Sequence, residues 1–364
     1  SGEAALPVAR EVGFPVMLKA ASGGGGKGMR LVHDESDFIQ SFNSCSREAL
    51  SAFGDGSVYI ERAIIKPRHI EIQVLADSHG NAVHVFEREC SVQRRHQKVI
   101  EEAPAANLSD ETRRQMGEVA VRAAKAINYC GAGTCEFMVD AEENFYFLEM
   151  NTRLQVEHPV TEEISGLDLV KEMIRIAAGA PLSFSQDDLV RRGHAIECRL
   201  YAEDPYQNFL PSPGKLTRYE PPSGPGIRVD DGVDEGDEVT PHYDPMIAKI
   251  ICWADTRDAA IERMLAALKQ LRIGGIKTNR GLLEVTLQCA PFRAGRYDTG
   301  LLGTMMPLEE PALTDEAAAL IAAVAAVRAT RATNKPSAAS GSTVATGSGW
   351  RRAGRAESVR SWGM

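Results

Sequence analysis

No stretch of this chain reaches the roughly 18 consecutive apolar residues that a membrane-spanning helix needs, so membrane insertion is set aside. A surplus of basic charge is lacking too. The formal net charge is −9, which argues against a nucleic-acid surface. The seven cysteines, Cys45, Cys90, Cys130, Cys135, Cys198, Cys252 and Cys289, stand singly with no C-x-x-C pair. That pattern suits reduced thiols and not a disulfide framework. The first residues, SGEAALPVAREVGFPV, carry neither a basic-then-apolar signal nor an Arg-rich transit pattern and read as a helix already under way. A cytoplasmic protein with no membrane or nucleic-acid partner is therefore expected. Against these absences, 364 residues that are 43% hydrophobic and 25% charged suffice for a substantial core in two or three globular units.

Two stretches carry chemistry. Phe14 to Ala20 reads as a strand entering S-G-G-G-G-K-G, and Met29 to Val32 as the strand leaving it. Gly23, Gly25 and Gly28 satisfy G-x-G-x-x-G, but a strand and not a helix follows, the wrong context for a dinucleotide fold. Lys27 is followed by glycine, so this is no Walker A loop either. Backbone N–H groups of a strand-glycine-strand lid can close over phosphates, with Lys19 placed to reach an α or β phosphate. A flexible hairpin tip is the alternative.

From Gly133 to Pro159 the sequence reads GTCEFMVDAEENFYFLEMNTRLQVEHP. Two apolar, aromatic-rich runs flank the polar turn Ala141-Glu142-Glu143-Asn144, an antiparallel hairpin with a four-residue loop. With Asp140 paired to Phe145, Glu136 falls opposite Glu149. Facing like charges cost stability, and a hard divalent cation is the expected neutraliser. Alternation carries Glu149, Asn151 and Arg153 onto one face, and two carboxylates with an amide oxygen suit Mg²⁺ or Mn²⁺. The alternative is a pair of edge carboxylates satisfied by Lys or Arg.

E-F, followed by E-M-N-T-R-x-Q-V-E-H-P-V-T-E, resembles the metal and bicarbonate segment of biotin carboxylase, a member of the ATP-grasp superfamily. P-R-H-x-E-x-Q from Pro67, C-S-x-Q-R-R-H-Q-K from Cys90, A-I-E-C-R-x-x-A-E-D-P from Ala195 and F-L-P-S-P-G-K from Phe209 continue the resemblance over roughly residues 3 to 308. It implies an α/β (α+β) ATP-grasp fold: a glycine-rich lid over residues 1–63, a catalytic body over 64–180 and a biotin carboxylase C-terminal domain over 181–308. Residues 309–364 read as an Ala-rich helix and a flexible linker and tail.

The resemblance also implies roles. ATP would be held by Lys19, Gly25, Gly26, Glu61, Arg62, Ala63, Ile64, His69, Gln93 and His96, together with Glu136 and Glu149. Two Mg²⁺ or Mn²⁺ ions would sit on Glu136, Glu149 and Asn151. Lys98, Arg153, Gln155 and Val156 would hold bicarbonate, Glu157 would deprotonate it, and Arg199 would support the ureido oxygen of biotin. The implied reaction is ATP-dependent carboxylation of biotin through carboxyphosphate by a C–N-bond-forming ligase. It is the first half-reaction of an acyl-CoA carboxylase such as acetyl-, propionyl- or methylcrotonyl-CoA carboxylase. No A-M-K-M or V-M-K-M occurs, so biotin is expected on a carrier domain elsewhere, with a carboxyltransferase subunit as further partner and a homodimer as the assembly. The family's N-terminal Rossmann-like domain and an upstream ATP-contacting Lys are absent, and a fragment truncated at both ends is expected. A carbamoyl-phosphate synthetase-like ligase and a catalytically inert fragment are the rivals.

On residue pattern alone, three of these stretches have plainer readings. Arg94, Arg95, His96 and Lys98 read as a solvated face, Glu197 and Arg199 as a surface ion-pair ladder, and Arg68 to Val74 as a half-buried strand.

Overall fold

The computed structural model describes residues 1–22 and 28–310, and beyond them residue 319 and residues 322–326. Gly25 and Gly26 of the glycine loop, the linker and the Trp350 tail lie outside the described residues. Ser1–Glu309 form one compact unit. Of the second, Glu310–Met364, the described residues after Glu310 are helical.

The chain opens with helix α1 (Gly2–Val12), then β1 (Val16–Ala20) and β2 (Met29–Val32), helix α2 (Phe38–Phe53) and β3 (Val58–Arg62). These three strands make a small antiparallel sheet in the order β2-β1-β3. Its core is Ala9, Val16, Leu18, Val32, Phe38 and Cys45, because alternate residues of β1 turn toward the two helices.

The rest of this unit is built on one larger sheet. Its strands are β4 (Arg68–Ala76), β5 (Ala82–Arg94), β6 (Gln97–Ala103), β7 (Gly131–Val139), β8 (Phe145–Asn151), β9 (His194–Tyr201), β10 (Ile227–Asp231) and β11 (Met246–Ala254). All are antiparallel, in the order β10-β11-β9-β6-β5-β4-β7-β8. The sheet runs unbroken past residue 180, since β6 pairs directly with β9. Helix α3 (Asp110–Ala126), capped by Ser109, packs Met116, Ala120 and Ala124 against Ile70, Ile72 and Phe137. Helix α4 (His158–Ser165) follows the β8 segment and covers Ala195 and Ile251 with Val160 and Ile164. Helix α5 (Leu169–Ala177) packs Leu169 and Ile176 with Leu75, Val83, Val85 and Ala132 of β4, β5 and β7, and α6 (Arg257–Gln270) packs Ile261, Met264 and Leu268 on the opposite face of β9 and β11.

Two expectations change here. The strand expected from Arg68 to Val74 is buried on both faces, because α3 covers its apolar side and the ionic cluster described below fills the other. The hairpin pairs Val139, not Asp140, with Phe145, one residue short of the expected register. A bulge at Leu148 restores the count, so Glu136 still faces Glu149. Among the described residues no helix is long and apolar enough to cross a membrane.

Candidate active site

Period-two alternation on six neighbouring strands brings a set of ionic side chains onto one face of the large sheet. Glu71 and Arg88 are fully buried, and Glu136 is 6% exposed. Burying charges this deeply is stable only with complete pairing. Arg88 achieves it with every N–H: Nε donates to Glu71 (2.5 Å), Nη1 to Gln73 (2.6 Å) and Thr161 (3.0 Å), and Nη2 to Thr134 (3.1 Å) and Gln155 (2.8 Å).

Lys98 lies above this foundation. Its ammonium donates to Glu71 (2.6 Å), Glu136 (3.2 Å) and Glu157 (2.5 Å), one acid for each proton. Burial alone would raise the Glu71 pKa, but Arg88 and Lys98 outweigh it and hold the carboxyl at about 2. Glu136 is held at about 2 in the same way, its burial outweighed by the hydrogen bond from His69 and the charge of Lys98. Gln93 donates to His69 Nδ1 (3.2 Å), which leaves the Nε2 proton for Glu136 (3.0 Å). Asn151 (3.0 Å) and Gln155 (2.7 Å) also donate to Glu136, and Arg153 Nη2 donates to Asn151 (3.3 Å).

Glu149, across the ladder, is exposed, and among the described residues its one hydrogen bond comes from the Asn151 amide, at 3.4 Å. The facing-acid expectation is therefore met unevenly: Lys98 and His69 offset Glu136, while Glu149 stands open. Donor atoms of His69, Glu71 and Glu136 lie within 4.8 Å of one another, close enough to share a cation.

Glu157 sits at the start of α4, 2% exposed, with one oxygen on Lys98 and the other on Arg199 Nη2 at 2.9 Å. Arg199 also donates to Glu101 at 2.6 Å. The Val156 carbonyl accepts from Lys249 at 2.8 Å.

Other expected residues are placed apart from this cluster. Lys19 pairs with Glu61 across β1 and β3, and among the described residues neither bonds to the large sheet. Arg62 is exposed, Ala63 buried and Ile64 half-buried just after β3. His96 occupies the exposed tip between β5 and β6, where Arg95 and His96 both take positive φ, and it makes no hydrogen bond to the cluster.

Sequence reasoning missed Glu71, Arg88, Glu101 and Lys249 as members of the site. Glu71 had a signal, since it lies two residues from His69 on the same strand face. Arg88 and Lys249 had none, because their partners come from distant segments.

A lid sheet followed by an antiparallel sheet that carries paired acids and converging cations defines an ATP-grasp protein. The family described as "Carbamoyl-phosphate synthase L chain, ATP binding domain" matches residues 1–185, and "Biotin carboxylase C-terminal domain" matches residues 197–304. Biotin carboxylase 2 of Bacillus subtilis (strain 168) is 55% identical over 300 residues, 82% of this chain and 67% of that one. The propionyl-CoA carboxylase alpha chain of Ruegeria pomeroyi is 51% identical over 323 residues, and the match spans 83% of this chain but 47% of that protein. Among solved structures, a biotin carboxylase β,γ-ATP complex from Campylobacter jejuni superposes with a TM-score of 0.80 at 50% identity, covering 84% of this chain and 68% of that chain. The biotin carboxylase domain dimer of Hydrogenobacter thermophilus 2-oxoglutarate carboxylase, with MgADP, ADP and bicarbonate, also gives 0.80, at 47% identity and coverage of 84% and 67%. The chain belongs to the biotin carboxylase family. It spans about half the length of the propionyl-CoA carboxylase alpha chain it matches.

Proposed function

We propose that this chain carries the site for ATP-dependent carboxylation of biotin by bicarbonate. The observation that carries the reading is Glu157, whose two oxygens rest on Lys98 and Arg199. The expected base, the bicarbonate cation and the biotin cation thus meet at one carboxylate. In an ATP-grasp ligase that makes carbamoyl phosphate, nothing in the chemistry asks for Arg199 at this position.

ATP would bind between the lid and the large sheet, with Lys19 leaving Glu61 for a phosphate and Glu61 to Ile64 running along the base. The two facing carboxylates fit a hard divalent cation: Glu149 is open on one side of the ladder, and Glu136 and Asn151 lie beside it. Bound there, Mg²⁺ or Mn²⁺ would draw charge from the transferring phosphoryl group.

Bicarbonate entering against Lys98, Arg153, Gln155 and the Val156 backbone must displace a carboxylate from the lysine, and Glu157 is the one freed to act as base. The Glu157 carboxylate takes the bicarbonate proton while a bicarbonate oxygen attacks the γ-phosphorus and ADP leaves, giving carboxyphosphate. Carboxyphosphate splits into CO₂ and phosphate. The phosphate takes the N1 proton of biotin, N1 attacks CO₂, and Arg199 offsets the charge that develops on the ureido oxygen. Biotin would arrive on a carrier domain, and a carboxyltransferase would take the carboxyl group onward. A homodimer, a cytoplasmic setting and a division of labour between residues 1–63, 64–180 and 181–308 complete the proposal.

The test is ADP release by the purified chain with MgATP and bicarbonate, with and without free biotin. Biotin-stimulated release is the expected result. ADP release that responds to ammonia instead of biotin would favour the carbamoyl-phosphate reading, and no nucleotide binding at all would favour the inert one.

A further inference from the structure

Glu197 has no place in that mechanism, yet it is fully buried and both of its carboxyl oxygens are without a hydrogen-bond partner among the described residues. Its cross-strand neighbour on β6 is Glu101, also fully buried, which uses one oxygen for Arg199 and leaves the other without a partner. On the other side, β11 presents Ile251.

The surrounding charges leave the pair short of cations. Arg199, two residues along β9, is shared between Glu101 and Glu157. Lys249 on β11 is taken up by the Val156 carbonyl and Asp230. From α4, Val160 and Ile164 close over this face, while Glu162 turns to Arg228, with His158 beside it held below the usual histidine range by burial. Helix α6 meets β9 through Ile196, Cys198 and Leu200, on the far face.

Lys98 is spread over Glu71, Glu136 and Glu157, so Arg199 is the cation that bonds Glu101, and no cation bonds Glu197. Two buried carboxylates side by side cannot both ionise with so little compensation. We propose that Glu101 and Glu197 form an acid pair holding one shared proton, and that this pair sets how much of the Arg199 cation is free for an incoming substrate. While the pair keeps its proton, Arg199 retains charge for the ureido oxygen. Once Glu101 is fully ionised, Arg199 is neutralised. Glu197 is thus a positioning residue acting through Glu101 and Arg199, and its link to substrate rests on the biotin reading above. The electrostatics agree in direction. Burial, then mutual repulsion, pushes Glu197 well above the ordinary carboxylate range, and burial pushes Glu101 up to about 7 although Arg199 opposes it.

Glu197→Gln tests the pair without relying on turnover. The infrared difference between wild type and E197Q near neutral pH should contain the carbonyl stretch of a protonated carboxylic acid. A raised carboxyl contributes stability fully present below the unfolded value of about 4.3 and lost as pH rises through the folded value. Glutamine cannot ionise, so the Tm of E197Q should gain on wild type by about 3 °C between pH ~6 and pH ~9. A difference spectrum with carboxylate bands alone, or a Tm gap independent of pH, would overturn the pair. If E197Q does not fold, Glu101→Gln replaces it: with the repulsion removed, the Glu197 acid band should titrate at lower pH than in wild type, and an unmoved band would overturn the pair.

The Arg199 link has its own readout. In E197Q, Glu101 ionises more readily, so KM for biotin should rise about tenfold at neutral pH, equivalent to about 1.4 kcal/mol of binding, with KM for MgATP unchanged. An acid band with an unchanged biotin KM would refute the link and leave the pair. Wild type that never responds to biotin would count against the proposed function, while the spectrum still decides the pair.

Discussion

The lid sheet and the large sheet handle charge in opposite ways. On the lid, Lys19 and Glu61 form a single pair, with the Lys19 side chain 13% and the Glu61 side chain 41% exposed. On the large sheet, Arg88 is fully buried and donates every proton to a residue from another segment. A single pair with one end open to solvent is worth far less than a closed network and exchanges more easily for a phosphate. A buried network costs much to break and holds its members in one geometry. On the function proposed above, the lid would let nucleotide in and the large sheet would hold the reacting groups in place.

Substitutions should separate the two regions, from the largest effect to the smallest. Arg88→Met should destabilise the fold by about 3–5 kcal/mol in urea at neutral pH, because buried Glu71 loses one of its two cations and keeps only Lys98. Glu71 is depressed in the folded state, so its contribution is present above the unfolded value of about 4.3 and lost as pH falls toward about 2. The deficit of the Arg88 variant should shrink over that window, and a constant deficit would mean that the arginine acts by packing alone.

Glu157→Gln should lower biotin-stimulated ADP release by about 10²–10⁴-fold, the range for a lost general base, and leave MgATP binding intact. Equal loss of both would instead make Glu157 part of the nucleotide site. Arg153→Ala should likewise remove carboxylation and spare nucleotide affinity, measured by calorimetry. Glu149→Gln should weaken Mg²⁺-dependent nucleotide binding while shifting Tm by no more than about 1 °C, since this carboxylate is exposed. Lys19→Ala should raise KM for ATP and change stability by no more than about 1 kcal/mol.

The hairpin was legible because alternation and a polar turn fix which side chains share a face. Its register was one residue off, and Leu148, bulged out, is indistinguishable in sequence from any other strand leucine. Glu136 could be read from the spacing of the hairpin, and His69 only through the resemblance of P-R-H-x-E-x-Q. Arg88 could not, since what makes it important is the convergence of Glu71, Gln73, Thr134, Gln155 and Thr161 upon it. Glu197 and Arg199 alternate like a surface ladder, but α4, supplied from about thirty residues upstream, covers that face, and pattern alone cannot tell a solvated face from a covered one. His96 shows the converse: the resemblance marks its cation-rich run as a site segment, yet Arg95 and His96 at the tip of the turn are exposed, as the residue pattern alone reads them.

The central claim is that Lys98, Glu157 and Arg199 form one carboxylating centre, and transfer of labelled bicarbonate to free biotin tests it most directly. With MgATP, the purified chain should place label in acid-labile carboxybiotin, and Arg199→Ala should remove that label while ATP binding persists. Label in biotin undiminished by Arg199→Ala, or ATP consumed by wild type with none of the label reaching biotin, would contradict the account.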